Sequence, residues 1–176
     1  MVNQLTDTVE SQLVLNRTQT IQKIKRIAFQ IYETNYQEKE IVLAGIYDKG
    51  YLLANMLLNE LVEISKGTKF SLVRVDLDKF SPLQSEIKLD QSLDSIKNKT
   101  VILVDDVLNS GRTLVYSLKP FLNIEIKKIQ IAVLVDRGYK SFPVAADFVG
   151  YALSTTLKEH IEVVLDDQEK FGVYLK

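Results

Sequence analysis

One run of the sequence, residues 101–113, constrains this chain more than any other feature. Its first four residues are apolar and predict a buried strand, and the carboxylates of Asp105 and Asp106 follow at once. The run ends in five residues that predict a turn and the opening of a helix: Asn109, Ser110, Gly111, Arg112 and Thr113. In α/β proteins, ligands bind beyond the carboxyl ends of the sheet strands. This run therefore predicts a ligand site.

The residue types in this run suit a phosphorylated sugar. Gly111 allows the backbone to approach a ligand closely, and the free N–H groups of a first helical turn attract a phosphate. The hydroxyls of Ser110 and Thr113 can add hydrogen bonds, while Asp105 and Asp106 can accept them from two sugar hydroxyls. Phosphate at one end and a vicinal diol at the other describe a ribose 5-phosphate. The alternative is an ordinary strand, turn and capped helix with solvated acids.

The remaining pattern predicts an α/β protein with a mainly parallel sheet and helices on both faces. A first helix is capped by Asn16 or Thr18, and a later one runs from Gly111 to about residue 123, bent or shortened by Pro120. Residues 1–14 are expected to be loose, and residues 78–98 to form a long polar loop. The expected strands are residues 41–44, 70–77, 101–104, 129–135, 147–151 and 161–165.

Composition bounds the class of protein. The chain has 176 residues, 46% of them hydrophobic and 26% charged, which suits one domain with its own core. A net charge of −1 gives no overall attraction to nucleic acid, and the absence of cysteine excludes disulfides and thiolate metal sites. The N-terminus has no secretory signal pattern, and no apolar run reaches the roughly 18 residues of a membrane span. We therefore expect a cytoplasmic protein without a membrane partner.

Together with residues 101–113, four further segments resemble the type I phosphoribosyltransferases. They read RIA at 26–28, VLAGI at 42–46, LVDRG at 134–138 and ADFVG at 146–150. Within that group the chain is most similar to the bifunctional pyrimidine-operon attenuator and uracil phosphoribosyltransferase family, over residues 15–165. The resemblance implies a type I phosphoribosyltransferase fold with a small hood. It implies transfer of the phosphoribosyl group of 5-phosphoribosyl-1-pyrophosphate (PRPP) to a uracil-like base, Mg²⁺ bound mainly through PRPP, and a homo-oligomer.

The resemblance assigns roles to the residues of the signature and of two loops. Asp105 and Asp106 hold the ribose hydroxyls and favour the positive charge of the transition state, and residues 109–113 grip the 5-phosphate. A pyrophosphate loop ends in three residues where the family has Thr-Arg-Gly: Asp48, Lys49 and Gly50. Lys79 is the candidate catalytic cation of a loop that closes over the site. Plain turns and a solvated loop are the alternatives, and no direct metal ligand is nominated.

The resemblance also places a base site at the end of the fourth strand. Asp136 and Arg137 should border the base, and an ionised Asp136 cannot donate the hydrogen bond that hypoxanthine or guanine needs. Val149 and Tyr151 belong to a segment similar to the family's base cover, although a core or edge role for Tyr151 is equally open. His160 is expected on the surface. The second acid pair, at residues 166–167, is expected in a solvated turn.

RNA binding is not expected. Family members that attenuate transcription carry a His and further cations on one face. This chain has Phe29, Ala145 and Tyr151 where a His, an Arg and a Lys are usual, which removes phosphate contacts. Two alternatives to the enzyme remain open: a catalytically weak or inactive PRPP- or nucleotide-binding regulator of the same fold, and an RNA-binding pyrimidine-operon attenuator.

Overall fold

Nine strands form two sheets in the computed structural model, which describes residues 11–78, 86–156 and 159–176. The strands are β1 (Gln12–Leu15), β2 (Glu40–Ile46), β3 (Lys69–Asp76), β4 (Lys88–Leu89), β5 (Thr100–Leu108), β6 (Lys128–Asp136), β7 (Phe148–Ala152), β8 (Ile161–Val164) and β9 (Gly172–Leu175). The central sheet has six of them, in the order β4-β3-β2-β5-β6-β7. All its pairs are parallel except β3 with β4, as the apolar runs predict.

Helices cover both faces of the central sheet. They are α1 (Arg17–Thr34), α2 (Lys49–Ile64) and the short α3 (Arg112–Ser117). Successive residues of a strand point to opposite faces, so Leu43 packs in the core with α1 and α2, whereas Val42 packs in the core with α3. This arrangement confirms the predicted α/β fold. None of the helices in the described ranges is long and apolar enough to cross a membrane.

Two local signals in the sequence set helix boundaries. The Asn16 side chain accepts a hydrogen bond from the N–H of Gln19 at 2.9 Å, and the Gln19 side chain accepts one from the N–H of Asn16 at 2.9 Å. This reciprocal cap confirms Asn16, rather than Thr18, as the start of α1. Pro120 follows α3 and begins a 3-10 turn (Phe121–Asn123), so the predicted shortening of that helix is also confirmed.

Three predicted boundaries were wrong. β5 does not end before the acids but continues to Leu108, because it stays paired with β6 through that residue. The polar stretch 78–98 contains the strand β4, which pairs with Val75 and Asp76. The N-terminal segment that was predicted to be loose, residues 1–14, extends too far, because the strand β1 begins at Gln12.

The second sheet is a small hood of three antiparallel strands in the order β1-β9-β8. The predicted sixth strand therefore belongs to the hood and not to the central sheet. Ile161, Val163 and Val173 are buried against the main core. Arg17 attaches α1 to the hood, since its guanidinium lies 5.0 Å from the Phe171 ring centroid. The expected hood is confirmed.

An ion pair at the opposite, amino end of the sheet gives the fold a pH dependence. Lys127 Nζ lies 2.7 Å from Oε2 of Glu38. The hydrogen bond from Lys127 holds the pKa of the Glu38 carboxyl below its ordinary value of 4.5, although burial acts in the opposite direction. Because its pKa is lowered in the folded state, this carboxylate stabilises the fold at pH values above its ordinary pKa. The contribution is lost as the pH falls through the folded-state pKa.

We expect Glu38→Gln to lower the free energy of unfolding by about 0.5 to 1 kcal/mol at neutral pH. The variant should also lose less stability than the wild type from about pH 5 downward, since it has no carboxylate there to protonate. Urea unfolding at a series of pH values measures both effects. Glu33→Gln, at an exposed position of α1, is the control. Parallel acid profiles for the wild type and Glu38→Gln would contradict the prediction.

Candidate active site

A cavity of about 270 Å³ lies beyond the carboxyl end of β5, next to the hood. This is where ligands bind in open parallel sheets. Its lining comes from the start of α2, from β5, the loop after it and the start of α3, from the residue after β6, and from β8 with the residue before it. The lining residues are Lys49, Asp105, Asp106, Val107, Asn109, Thr113, Arg137, His160, Ile161 and Glu162.

The predicted acid pair lies in this cavity, against the start of α2. Asp105 is 3% exposed, and its Oδ1 accepts a hydrogen bond from the N–H of Asp106 at 3.0 Å. A Cβ atom at Gly50 would lie 2.7 Å from the Val104 carbonyl oxygen and 3.0 Å from Oδ1 of Asp105. Only glycine fits at this position, so the absence of a side chain there brings the acid pair and the predicted pyrophosphate loop together.

The turn after β5 takes its shape from a glycine and from a neighbouring segment. Gly111 has φ +83°, and a Cβ atom there would lie 2.3 Å from Cγ1 of Val144. The carbonyl oxygen of Ser110 accepts hydrogen bonds from the N–H groups of Ser141 and Phe142 at 2.9 and 3.1 Å. Residues 141–144 therefore hold the turn in place from behind.

The five predicted phosphate-binding residues divide into two groups. Asn109 and Thr113 line the cavity. Ser110, Gly111 and Arg112 do not; the Ser110 hydroxyl oxygen instead accepts a hydrogen bond from the N–H of Arg112 at 3.3 Å. The structure thus brings the two ends of the predicted phosphate loop to the cavity, and its centre forms the turn.

The predicted pyrophosphate loop contributes one cation to the cavity. Lys49 is the first residue of α2 and lines the cavity with the acid pair. Asp48 precedes the helix, and its side chain makes no capping hydrogen bond to it; the peptide bond from Tyr47 to Asp48 is cis. Lys79, the predicted cation of the closing loop, lies outside the described residues.

The hood contributes cavity residues that the sequence did not indicate. His160 is exposed, as predicted, but it also lines the cavity, together with Glu162. A hydrogen bond from Lys176, whose Nζ lies 2.6 Å from Oε2 of Glu162, holds the pKa of the Glu162 carboxyl below its usual range, and the positive charge of Lys49 acts in the same direction. Period-two alternation at residues 161–165 predicts a strand, but it does not say that the strand faces a cavity.

The predicted base-binding residues lie in different places. Arg137 lines the cavity. Asp136 closes the turn after β6, because Oδ1 accepts a hydrogen bond from the N–H of Gly138 at 2.8 Å and Oδ2 lies 3.1 Å from Lys140 Nζ. These two contacts show how its carboxylate is held beside the cavity.

Val149 and Tyr151 are outside the set of described residues that line the cavity. The side chain of Val149 packs in the core on the α3 side of the sheet, and that of Tyr151 packs on the α1 side. Lys23 Nζ lies 5.5 Å from the centroid of the Tyr151 ring. The core or edge packing expected for Tyr151 is present, and its role as a base cover stays a prediction.

The second acid pair forms the turn that its sequence predicts. The Oδ1 atom of Asp167 accepts hydrogen bonds from the N–H groups of Glu169 and Lys170 at 2.9 and 3.3 Å. Asp166 is exposed beside it.

Comparison with known proteins identifies the family. Residues 12–168 match the model of the phosphoribosyl transferase domain. The bifunctional protein PyrR of Clostridioides difficile is 37% identical over 167 residues, which cover 89% of this chain and 92% of that protein. The PyrR of Clostridium acetobutylicum is 35% identical over 161 residues, covering 86% of this chain and 90% of the relative.

Solved structures agree on the fold. The hypoxanthine phosphoribosyltransferase of Trypanosoma cruzi has a TM-score of 0.75 at 15% identity, over 93% of this chain and 95% of that chain. The hypoxanthine-guanine phosphoribosyltransferase of Bacillus anthracis has a TM-score of 0.71 at 22% identity, over 95% of this chain and 98% of that chain. At these identities the likeness concerns the fold alone. From the family model and the PyrR relatives, this chain belongs to the phosphoribosyltransferase family, among the relatives of the bifunctional PyrR proteins.

Proposed function

We propose that this protein transfers the phosphoribosyl group of PRPP to a pyrimidine base of the uracil type and releases pyrophosphate. One observation carries the proposal: the acid pair, both ends of the phosphate loop and the cation of the pyrophosphate loop line the same cavity. These groups match the chemistry of PRPP, which has a ribose diol, a 5-phosphate and a pyrophosphate. The match to the phosphoribosyl transferase domain and the similarity to the PyrR proteins support phosphoribosyl transfer by this chain.

In the proposed reaction a ring nitrogen of the base forms a bond to C1 of the ribose, and the bond from C1 to the pyrophosphate oxygen breaks. The nitrogen gives up its proton to water or to the released pyrophosphate, and the electrons of the broken bond leave with pyrophosphate. Positive charge develops on the ribose ring in the transition state. The carboxylates of Asp105 and Asp106 would stabilise that charge and hold the ribose hydroxyls, while Lys49 would stabilise the charge on the leaving group.

The site is suited to Mg²⁺ that binds as a complex with PRPP. Among the described residues, no group of three or more His, Asp or Glu side chains could hold a metal ion alone. The cavity does contain Asp105 and Asp106, whose oxygens are suitable for Mg²⁺ with waters and ligand oxygens completing its coordination. When bound, Mg²⁺ would neutralise charge on the pyrophosphate, which also offsets the negative charge of Asp48.

The choice of a pyrimidine rests on Asp136, which precedes the cavity residue Arg137. Its two oxygens already accept a hydrogen bond from Gly138 and contact Lys140, and an ionised carboxylate has no proton to donate. The oxygen of hypoxanthine or guanine needs a donor there. We therefore propose that the protein does not accept 6-oxopurines as substrates.

An assay with a panel of bases tests the proposal. Purified protein, PRPP and Mg²⁺ are mixed with uracil, cytosine, hypoxanthine or guanine, and the release of pyrophosphate is measured. We expect release with uracil and little or none with the two purines. If folded protein released no pyrophosphate with any of the four bases, the enzyme proposal would be contradicted. If calorimetry still showed PRPP binding, the result would favour a PRPP-binding regulator, which Asp48 in the pyrophosphate loop also suggests.

A further inference from the structure

The guanidinium of Arg137 is buried beside the cavity and donates to four protein oxygens. The residue is 7% exposed. Its Nε donates to the Thr155 hydroxyl at 2.7 Å, and its Nη1 donates to Oδ1 of Asn109 at 3.0 Å. Its Nη2 donates to the carbonyl oxygens of Thr156 and Glu159 at 3.1 and 2.8 Å. These bonds use Nε and both terminal nitrogens, so they fix the plane of the guanidinium.

The partners of Arg137 come from two separate parts of the chain. Asn109 belongs to the loop that is proposed to bind the 5-phosphate. Thr155, Thr156 and Glu159 precede β8, the hood strand whose first residue lines the cavity. The backbone adds a contact on the phosphate-loop side only: the N–H of Arg137 donates to the carbonyl oxygen of Leu108, the residue before Asn109, at 3.0 Å. One side chain therefore connects the phosphate loop with the hood.

Two of these partners are also bonded to each other. Oε2 of Glu159 accepts a hydrogen bond from the N–H of Thr156 at 2.6 Å. That bond, with a smaller effect of the positive charge of Arg137, holds the pKa of the Glu159 carboxyl below its usual range. Arg137 thus contacts Thr156 and Glu159, which are bonded to each other, and it links their position to that of Asn109.

We propose that Arg137 is a positioning residue that sets the phosphate loop and the hood together, and that it does not read the base. This inference rests on the proposed phosphoribosyl transfer. A guanidinium that donates four of its N–H groups to the protein is committed to those partners. Its loss should therefore weaken PRPP binding through Asn109 and affect every accepted base equally.

Calorimetry of PRPP with Mg²⁺ tests the first half of the proposal. Arg137→Lys replaces a planar fork with a point charge, and we expect it to weaken PRPP binding by about tenfold or more. Thr155→Val removes one acceptor on the hood side and does not alter a residue that lines the cavity. We expect it to weaken PRPP binding by about threefold or more, which a base-reading Arg137 would not produce. Thr155→Val also keeps the test open if Arg137→Lys fails to fold.

Arg17→Lys is the matched control. Arg17 also joins α1 to the hood, with Nη1 2.6 Å from Oε1 of Gln168, but it does not line the cavity. We expect its affinity for PRPP to stay within about twofold of the wild type. If both Arg137→Lys and Thr155→Val matched the wild type as well, the proposed positioning role would be wrong.

The order of preference among bases tests the second half. Arg137→Lys should lower kcat/KM by the same factor for each base that the wild type accepts, and the order of the bases should not change. A changed order would overturn the proposal, because it would show that Arg137 reads the base. If the wild type binds PRPP but turns over no base, the enzyme proposal fails and the calorimetry still decides the role of Arg137. If the wild type does not bind PRPP, both fall.

Discussion

Replacing Asp106 with Asn is expected to lower kcat by about a hundredfold or more, with a smaller change in the KM for PRPP. Asn keeps the size of the side chain and removes its negative charge. The charge matters most in the transition state, where the ribose ring becomes positive, and least in the ground state. Asp106 is partly exposed in the cavity beside Asp105, so the substitution changes a group that a ligand can reach. Initial rates of pyrophosphate release over a range of PRPP concentrations separate kcat from KM.

Asp105→Asn should cause a loss of activity of similar size, with a second effect on stability. Its side chain is buried, and Gly50 lies directly against it. The melting temperatures of both variants therefore accompany the kinetics. Asp166→Asn is the control, since it neutralises the exposed acid of a pair that lies in a turn. Full activity in either cavity variant would show that the acid pair does not act on the reaction.

Gly111→Ala is expected to lower the free energy of unfolding by about 3 kcal/mol and to reduce PRPP binding strongly. Two costs combine at this position. At φ +83° an L residue is disfavoured by about 1–2 kcal/mol. The new Cβ atom would also lie 2.3 Å from Cγ1 of Val144, so the turn or the segment behind it must move. Because Asn109 and Thr113 flank this turn, the movement would displace both phosphate contacts.

Gly67→Ala separates the two costs. Gly67 has φ +127°, but no atom lies within 4 Å of a Cβ placed there, so only the backbone term of about 1–2 kcal/mol applies. A double variant, Gly111→Ala with Val144→Ala, removes the atom that clashes and should recover part of the PRPP affinity. Urea unfolding and calorimetry measure these effects. Equal losses in Gly111→Ala and Gly67→Ala would show that Val144 does not restrict the turn.

Several features could be predicted from short stretches of sequence because their causes are local. Apolar runs identify the parallel strands, since a strand covered on both faces must be apolar on both sides. Asn16 and Pro120 set helix boundaries through their own hydrogen-bonding and ring geometry. The signature at residues 101–113 indicated the ligand cavity for the same reason, because an acid pair, a glycine turn and hydroxyls follow one another directly in the chain.

The end of β5 and the hood required tertiary structure. Asp105 and Asp106 were expected after the strand, but pairing with β6 continues through them, and no local pattern shows which strand will be the neighbour. The hood pairs Gln12 with Leu175, residues at opposite ends of the described chain. Backbone hydrogen bonds between such distant segments leave only weak signals in either one.

Short stretches of sequence were enough to predict the α/β class, the family resemblance and an acid pair beside the predicted phosphate loop. Only the tertiary structure decided that His160 and Glu162 face the same cavity, that Tyr151 packs against α1, and that Arg137 joins Asn109 to the hood. The physical reason is the range of the interaction. Caps, turns and periodicity act between near neighbours in the chain, whereas a guanidinium finds its partners wherever folding places suitable oxygens.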